Sequence, residues 1–132
     1  MLLELELLAR IILAFILGGV VGLERVDKPA GLRTHILVSL GSAQFTILSF
    51  YAFPGSDPAR IAAYVVAGIG FIGAGAILQT QERVVGVTTA TSLWVTASIG
   101  MAVGIGFYLA AIVITAIAYF TLRLARLEKR IA

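Results

Sequence analysis

Six ionisable side chains, Glu24, Arg25, Asp27, Lys28, Arg33 and His35, fall within 12 positions of a chain in which only 13% of residues are charged. Three roles are open to such a cluster. It can set topology as a charged loop, it can lock two segments through a pair of Glu24 with Arg25 or Arg33, or it can hold a cation. Ion pairs at a membrane boundary are costly unless matched, and they mark ion paths or conformational locks. Magnesium takes oxygen ligands and keeps several waters, so Glu24 and Asp27 are the carboxylates that would contribute to a magnesium site. Zinc wants three or four His, Cys or carboxylate ligands. With one histidine and no cysteine in the chain, His35 supports neither a metal cluster nor catalysis.

Hydroxyls form the next constellation. Thr88, Ser92 and Thr96 recur at i, i+4 and i+8, with Thr89 and Thr91 between them. In an apolar helix such groups bond back to carbonyls or across to another helix, so packing is the first reading and a polar pore lining the second. Gln44 is an isolated polar group expected to meet one of these hydroxyls, and Trp94 is expected to pack inside its helix. No nucleophile stands beside a base and no carboxylate pair has catalytic spacing, so the sequence points to no enzyme, no catalytic residue and no cofactor.

Gly68-Ile69-Gly70-Phe71-Ile72-Gly73-Ala74-Gly75 matches the dinucleotide fingerprint by letter. A fingerprint needs a strand before it, an open helix start and an acidic residue about 20 positions on. These glycines instead lie inside a charge-free run of 21 residues, 61–81. At about 100° per residue Ala63, Gly70, Gly73 and Ala74 share one face and Gly68 and Gly75 the opposite one, with Tyr64, Phe71 and Leu78 on a flank. Small residues let helix backbones approach closely in lipid. The segment is therefore expected to be central and clasped on two sides.

The elements that position these residues follow from composition. The chain has 132 residues, 60% of them hydrophobic, and a mean hydropathy of +1.03. Soluble domains carry roughly 25% charged residues, so most of this surface faces lipid. Disorder is excluded by the apolar excess and a disulfide scaffold by the lack of cysteine. The net charge of +3 does not form a basic stripe with interleaved aromatics, which argues against nucleic acid as a partner. Lipid, a second copy or another membrane protein are the partners expected.

Charge-free runs at 36–53, 61–81 and 84–122 divide a single domain, residues 1–132. The last run has 39 residues, roughly 58 Å as one helix, so it must break, and Gly104 and Gly106 are the natural place. Asp57 is a natural N-cap and Pro58 a natural first helical residue, with Arg60 just beyond. Gly86 supplies a turn before a capping hydroxyl at Thr88 or Thr89. At the start, Glu4 and Glu6 stand where a cleaved signal peptide would be basic, so the first segment reads as an uncleaved helix with Arg10 snorkelling to the interface. An all-α, polytopic transmembrane bundle of five spans is predicted, at 5–23, 34–52, 58–78, 88–103 and 107–122. An outside N-terminus and an inside C-terminus put eight of the ten basic residues on the inner side.

Taken together, Gly22-x-Glu24-Arg25, Ala30-Gly31-Leu32-Arg33-Thr34-His35, Asp57-Pro58-x-Arg60, the glycine run, Gly86-Val87-Thr88-Thr89-Ala90 and Ser92-Leu93-Trp94 resemble the MgtC/SapB family in order and spacing. The resemblance runs from Gly22 to Tyr108. It implies a bacterial inner-membrane bundle linked to magnesium limitation, and in some intracellular pathogens to survival in host cells, whose members act on other membrane machines. Full MgtC members continue into a soluble cytoplasmic domain. This sequence ends at Ala132, about ten residues after its last predicted span, and so is closer to the short SapB-like form. The expected mode of action is helix contact with itself or another membrane protein, with an ion or solute conduit near Glu24, Arg33, Arg60 and Thr88 as the alternative.

Overall fold

Apolar runs punctuated by charge and by glycine become five helices in the computed structural model: α1 (Leu2–Leu23), α2 (Leu32–Tyr51), α3 (Ala59–Gly75), α4 (Val87–Gly104) and α5 (Tyr108–Ile131). The structure describes residues 1–79 and 82–131, without the side chains of Leu78 and Gln79. Gln81 and Ala132, each the end of a segment considered above, lie outside the described residues. Between α3 and α4 a short antiparallel ladder pairs β1 (Leu78–Gln79) with β2 (Val84–Val85), Leu78 opposite Val85. That ladder is why the third helix stops at Gly75 and not at 78. Ala76 and Ile77 close its last turn with bonds to the carbonyls of Gly73 and Ala74.

The predicted break falls where expected. Gly106 has φ +88°, its amide donates to Val103 O at 3.0 Å, and the Phe107 amide donates to Ala102 O at 2.8 Å. This is the crossed pair of bonds that ends a helix on a left-handed glycine. Asp57 caps α3 through Oδ1, which accepts the Ala59 amide at 2.9 Å, so the helix begins one residue after Pro58. Ahead of α4 the cap differs from expectation. Gly86 itself is the N-cap, at φ +91°, and no side-chain hydroxyl bonds there. An added Cβ at Gly86 would collide with Ala76 O.

The helix at the centre is α2, not α3. His35, Ser39, Ser42, Ala43 and Thr46 form one buried stripe along it. On one side Gly18 and Gly22 of α1 press against it: a Cβ on Gly18 would lie 2.6 Å from Ser39 Cβ, and one on Gly22 would lie 2.8 Å from Leu32 Cα. On the other side Gly100 and Gly104 of α4 do the same, against Ser39 O and, at 2.8 Å, Ala43 O. Each pair is a G-x-x-x-G repeat, the spacing that lets two backbones touch. By contrast, a Cβ on Gly68, Gly70 or Gly75 would meet nothing within 4 Å, and one on Gly73 only Ala90 at ordinary contact distance. Within the chain α3 is peripheral, with only Ala62, Ile69 and Gly73 buried.

These contacts fix direction. Residue 35 of α2 pairs with 92 of α4, 39 with 100 and 43 with 104, so the two helices run parallel. Helix α1 runs antiparallel to α2, since Arg10 reaches Tyr51 while Gly22 meets Leu32. Several buried hydroxyls are bonded to carbonyls: Ser39 Oγ donates across to Ala14 O at 2.8 Å, while Thr46, Thr96 and Thr115 each donate at 2.7 Å to a carbonyl four residues back. The outer surface is apolar, with Phe71 85% and Leu109 77% exposed. Helices α1, α4 and α5, of 22, 18 and 24 residues, are long and apolar enough to cross a membrane. Helix α3 is apolar over 17 residues, about 26 Å, and α2 turns its polar stripe inward.

Gly100→Ala is expected to cost about 1–3 kcal/mol by driving a methyl group into a backbone carbonyl. Gly41→Ala, where a Cβ meets nothing within 4 Å, should stay within about 0.5 kcal/mol. Reversible unfolding in mixed micelles, followed by Trp94 fluorescence, measures both.

Candidate functional site

Ionic groups gather at the two ends of the bundle. At the end where α1 stops and α2 and α4 begin, Glu24 does not pair with Arg25 or Arg33. Its buried carboxylate faces α5, 3.2 Å from Arg126 Nη2 and 3.9 Å from Arg123 Nε. The reason is reach, because the last turns of α5 lie alongside the exit of α1 and bring cations that sequence neighbours do not. Arg33 is exposed. Asp27 is exposed beside Lys28, 3.7 Å from its Nζ. Glu24 and Asp27 thus each face cations, and the described residues hold no group of three His, Cys, Asp or Glu placed for a metal.

Beneath these charges runs a buried chain of hydrogen bonds. Arg25 Nη2 donates to Thr89 Oγ1, and burial pushes the Arg25 guanidinium below its ordinary range, with Asp27 opposing that shift. Ser92 Oγ lies 2.8 Å from Thr89 O and 2.9 Å from His35 Nε2, and His35 Nδ1 lies 2.8 Å from Gly31 O. His35 is fully buried. Its ring is satisfied in two ways. As a neutral Nδ1–H tautomer it accepts from Ser92, and as a cation it donates to Ser92, whose hydroxyl then turns to Thr89 O. The buried hydroxyl face is Thr89, Ser92 and Thr96, whereas Thr88 is exposed; the spacing i, i+3, i+7 fits the helix better than i, i+4, i+8.

Other expected residues fall elsewhere. Thr34 lines an apolar groove of about 590 Å³ between α2 and α3, together with Gly41, Phe45, Tyr64 and Gly68. Asp57 is exposed in the α2–α3 connection and Arg60 is exposed in the first turn of α3. Gln44 is exposed on the outer side of α2 and meets none of the α4 hydroxyls. Trp94 is 57% exposed and faces outward, while its helix buries Leu93 and Thr96.

The opposite end holds a site that the sequence reading missed. Arg10 does not snorkel but is buried, 5% exposed. Its Nε donates to Tyr108 Oη at 3.1 Å, its Nη1 to Gly104 O at 2.7 Å and to Tyr51 Oη at 3.3 Å, and its Nη2 pairs with Glu6 Oε1. One guanidinium thus joins α1, α2, α4 and α5. The available signal was Glu6 and Arg10 at i, i+4 in an otherwise apolar helix. Arg10→Met is expected to destabilise the bundle by about 1–3 kcal/mol, since it leaves the buried carbonyl of Gly104 without its donor. Tyr51→Phe should lose about 1 kcal/mol, and the same micelle unfolding experiment compares the two.

Comparison with known proteins gives this geometry a family. The profile of the MgtC family matches residues 11–130. The chain is 52% identical over 113 residues to the "Putative magnesium transporter YhiD" of Escherichia coli (strain K12), covering 78% of this chain and 53% of that protein. It is 44% identical over 104 residues to "Protein MgtC" of Brucella abortus (strain 2308), covering 77% of this chain and 44% of that one. It thus spans about half the length of these curated relatives. No solved structure matches it. A five-helix bundle with an apolar exterior, carrying the motifs from Gly22 to Tyr108 and matched by the profile over most of its length, belongs to the MgtC family.

Proposed function

We propose that this chain is a multi-pass module of the bacterial inner membrane, with its N-terminus outside and its C-terminus inside, that serves magnesium homeostasis by binding another transmembrane helix. The partner is a second copy or a different membrane protein. One observation carries the reading: the helix richest in small residues is the one whose small residues the chain itself leaves uncovered. Gly68, Gly70 and Gly75 have open space where a side chain would stand, and Gly41 across the α2–α3 groove does too. In lipid, glycine faces gain their contact energy only when another backbone reaches them. Helical propensity alone would favour alanine at such positions.

Magnesium enters through the name of one relative, the "Putative magnesium transporter YhiD" of E. coli. The orientation is supported by basic residues. Arg25, Lys28, Arg33, Arg83, Arg123, Arg126, Lys129 and Arg130 sit on loops or ends that an odd number of crossings places on the inner side. The conduit reading is less well supported, because the α2–α4 seam closes to backbone contact at Gly100 and Gly104 and the hydroxyls of Thr46 and Thr96 are bonded to carbonyls.

The absence of cysteine allows a direct test. Phe71→Cys, on the exposed side of α3, should give a crosslinked adduct in membranes, and adding Gly70→Leu should abolish it while leaving unfolding of the single chain unchanged. Adduct formation indifferent to Gly70→Leu would refute the helix-contact reading. In proteoliposomes under a magnesium gradient no flux is expected, and flux lost on Glu24→Gln would establish the conduit instead.

A further inference from the structure

Two arginines are buried in this bundle, and the fold treats them differently. Arg10 has a carboxylate, a carbonyl and two phenols around it. Arg25 is 7% exposed, yet its hydrogen-bond partner among the described residues is one neutral hydroxyl, Thr89 Oγ1, and its buried Nε–H has no acceptor among them. The nearest carboxylate in sequence, Glu24, is turned to Arg123 and Arg126, and Asp27 lies out beside Lys28. A buried cation without a matched anion is strongly unfavourable.

The same place collects a second positive field. Helices α2 and α4 run parallel and start side by side, with His35 of the first turn of α2 bonded to Ser92 of α4. Their N-caps are the glycines Gly31 and Gly86, and neither start has a side-chain cap among the described residues. The first-turn amides of both helices, those of Leu32, Arg33 and Thr34 and of Val87, Thr88 and Thr89, therefore lack the acceptor that a Ser, Asp or Asn cap would supply. Helix starts of this kind bind oxyanions. Here two of them flank a desolvated guanidinium anchored on Thr89, the third residue of α4, and the exposed Arg33 adds to the field.

We propose that this end of the bundle binds a phosphate group, held by Arg25 and the uncapped first turns of α2 and α4. The group is either free phosphate or the phosphate of an anionic lipid headgroup, since a helix start at the membrane boundary is at the right depth for both. The proposal does not depend on helix pairing through α3.

The test is thermal unfolding of the purified chain. In a non-ionic detergent, inorganic phosphate is compared with chloride at equal ionic strength. In nanodiscs, phosphatidylglycerol is compared with phosphatidylcholine. Binding to the folded state alone raises the melting temperature, here by about 5 °C with ligand at about ten times its Kd. A rise in the first arm identifies the free ion, and a rise confined to the second identifies the lipid. Arg25→Gln should remove the response. Because that variant also loses the buried contact with Thr89, Thr88→Asp is the decisive one: Thr88 is exposed in the first turn of α4, so a carboxylate there supplies the missing anion internally, raises the melting temperature and abolishes the response. No rise beyond the chloride or phosphatidylcholine control, or a rise of equal size in Thr88→Asp, overturns the proposal.

Discussion

The separation between three helix backbones governs everything else in this bundle. Along α2, Ser39 is touched by Gly18 from α1 on one side and by Gly100 from α4 on the other, so that a single methyl group at either glycine would enter occupied space. In lipid the alternative to this contact is contact with acyl chains, and a Leu-lined seam would gain nothing by closing. Close approach gives dispersion contacts that a lipid tail cannot match. It also explains why Ser, Thr, Ala and Gly stand where α2 and α4 meet: short hydroxyls such as those of Thr46 and Thr96 return their polarity to a carbonyl one turn back and leave only a thin side-chain layer between backbones.

The polar chemistry is pushed to the two ends, and the ends are unlike. Around Arg10 the donors of the guanidinium and the surrounding acceptors are matched, and four helices are joined at one point. Around Arg25 the charges are partitioned instead: Glu24 ties the exit of α1 to α5, while Arg25 lies beneath two helix starts with a single hydroxyl. The first end behaves as a structural rivet. At the second, a buried guanidinium keeps one neutral partner and an Nε–H without an acceptor among the described residues.

Much of this was legible in the sequence, and the part that was not has a common cause. Hydropathy and capping are local, so charge-free runs placed all five helices, Asp57 placed the start of α3, and Gly104 and Gly106 placed the α4–α5 break. Partners across the bundle are not local. Glu24 was paired with its neighbours Arg25 and Arg33 because the cations that reach it stand on α5, about a hundred residues away. The same applies to Arg10 and Tyr108. Periodicity assigns a face to a glycine but not a neighbour to that face, so the dense glycine run of α3 drew the packing role that belongs to the sparser pairs Gly18/Gly22 and Gly100/Gly104. Their four-residue spacing was the better signal, since it marks two consecutive turns meeting one backbone.

That redistribution changes what α3 is for. A helix whose glycines were consumed inside the chain would offer the membrane an ordinary lipid-facing surface. Here the central seam is already closed by other residues, and α3 sits outside it, bearing exposed Tyr64 and Phe71 beside uncovered glycines. Large and small side chains alternating on an exposed helix make knobs and holes, which acyl chains fill poorly because they are mobile and another helix fills well because it is not. With the interior full, chemistry that involves a second molecule is displaced to the outside of the bundle. The two surfaces proposed for it are the flank of α3 and the end that holds Arg25, one apolar and the other cationic.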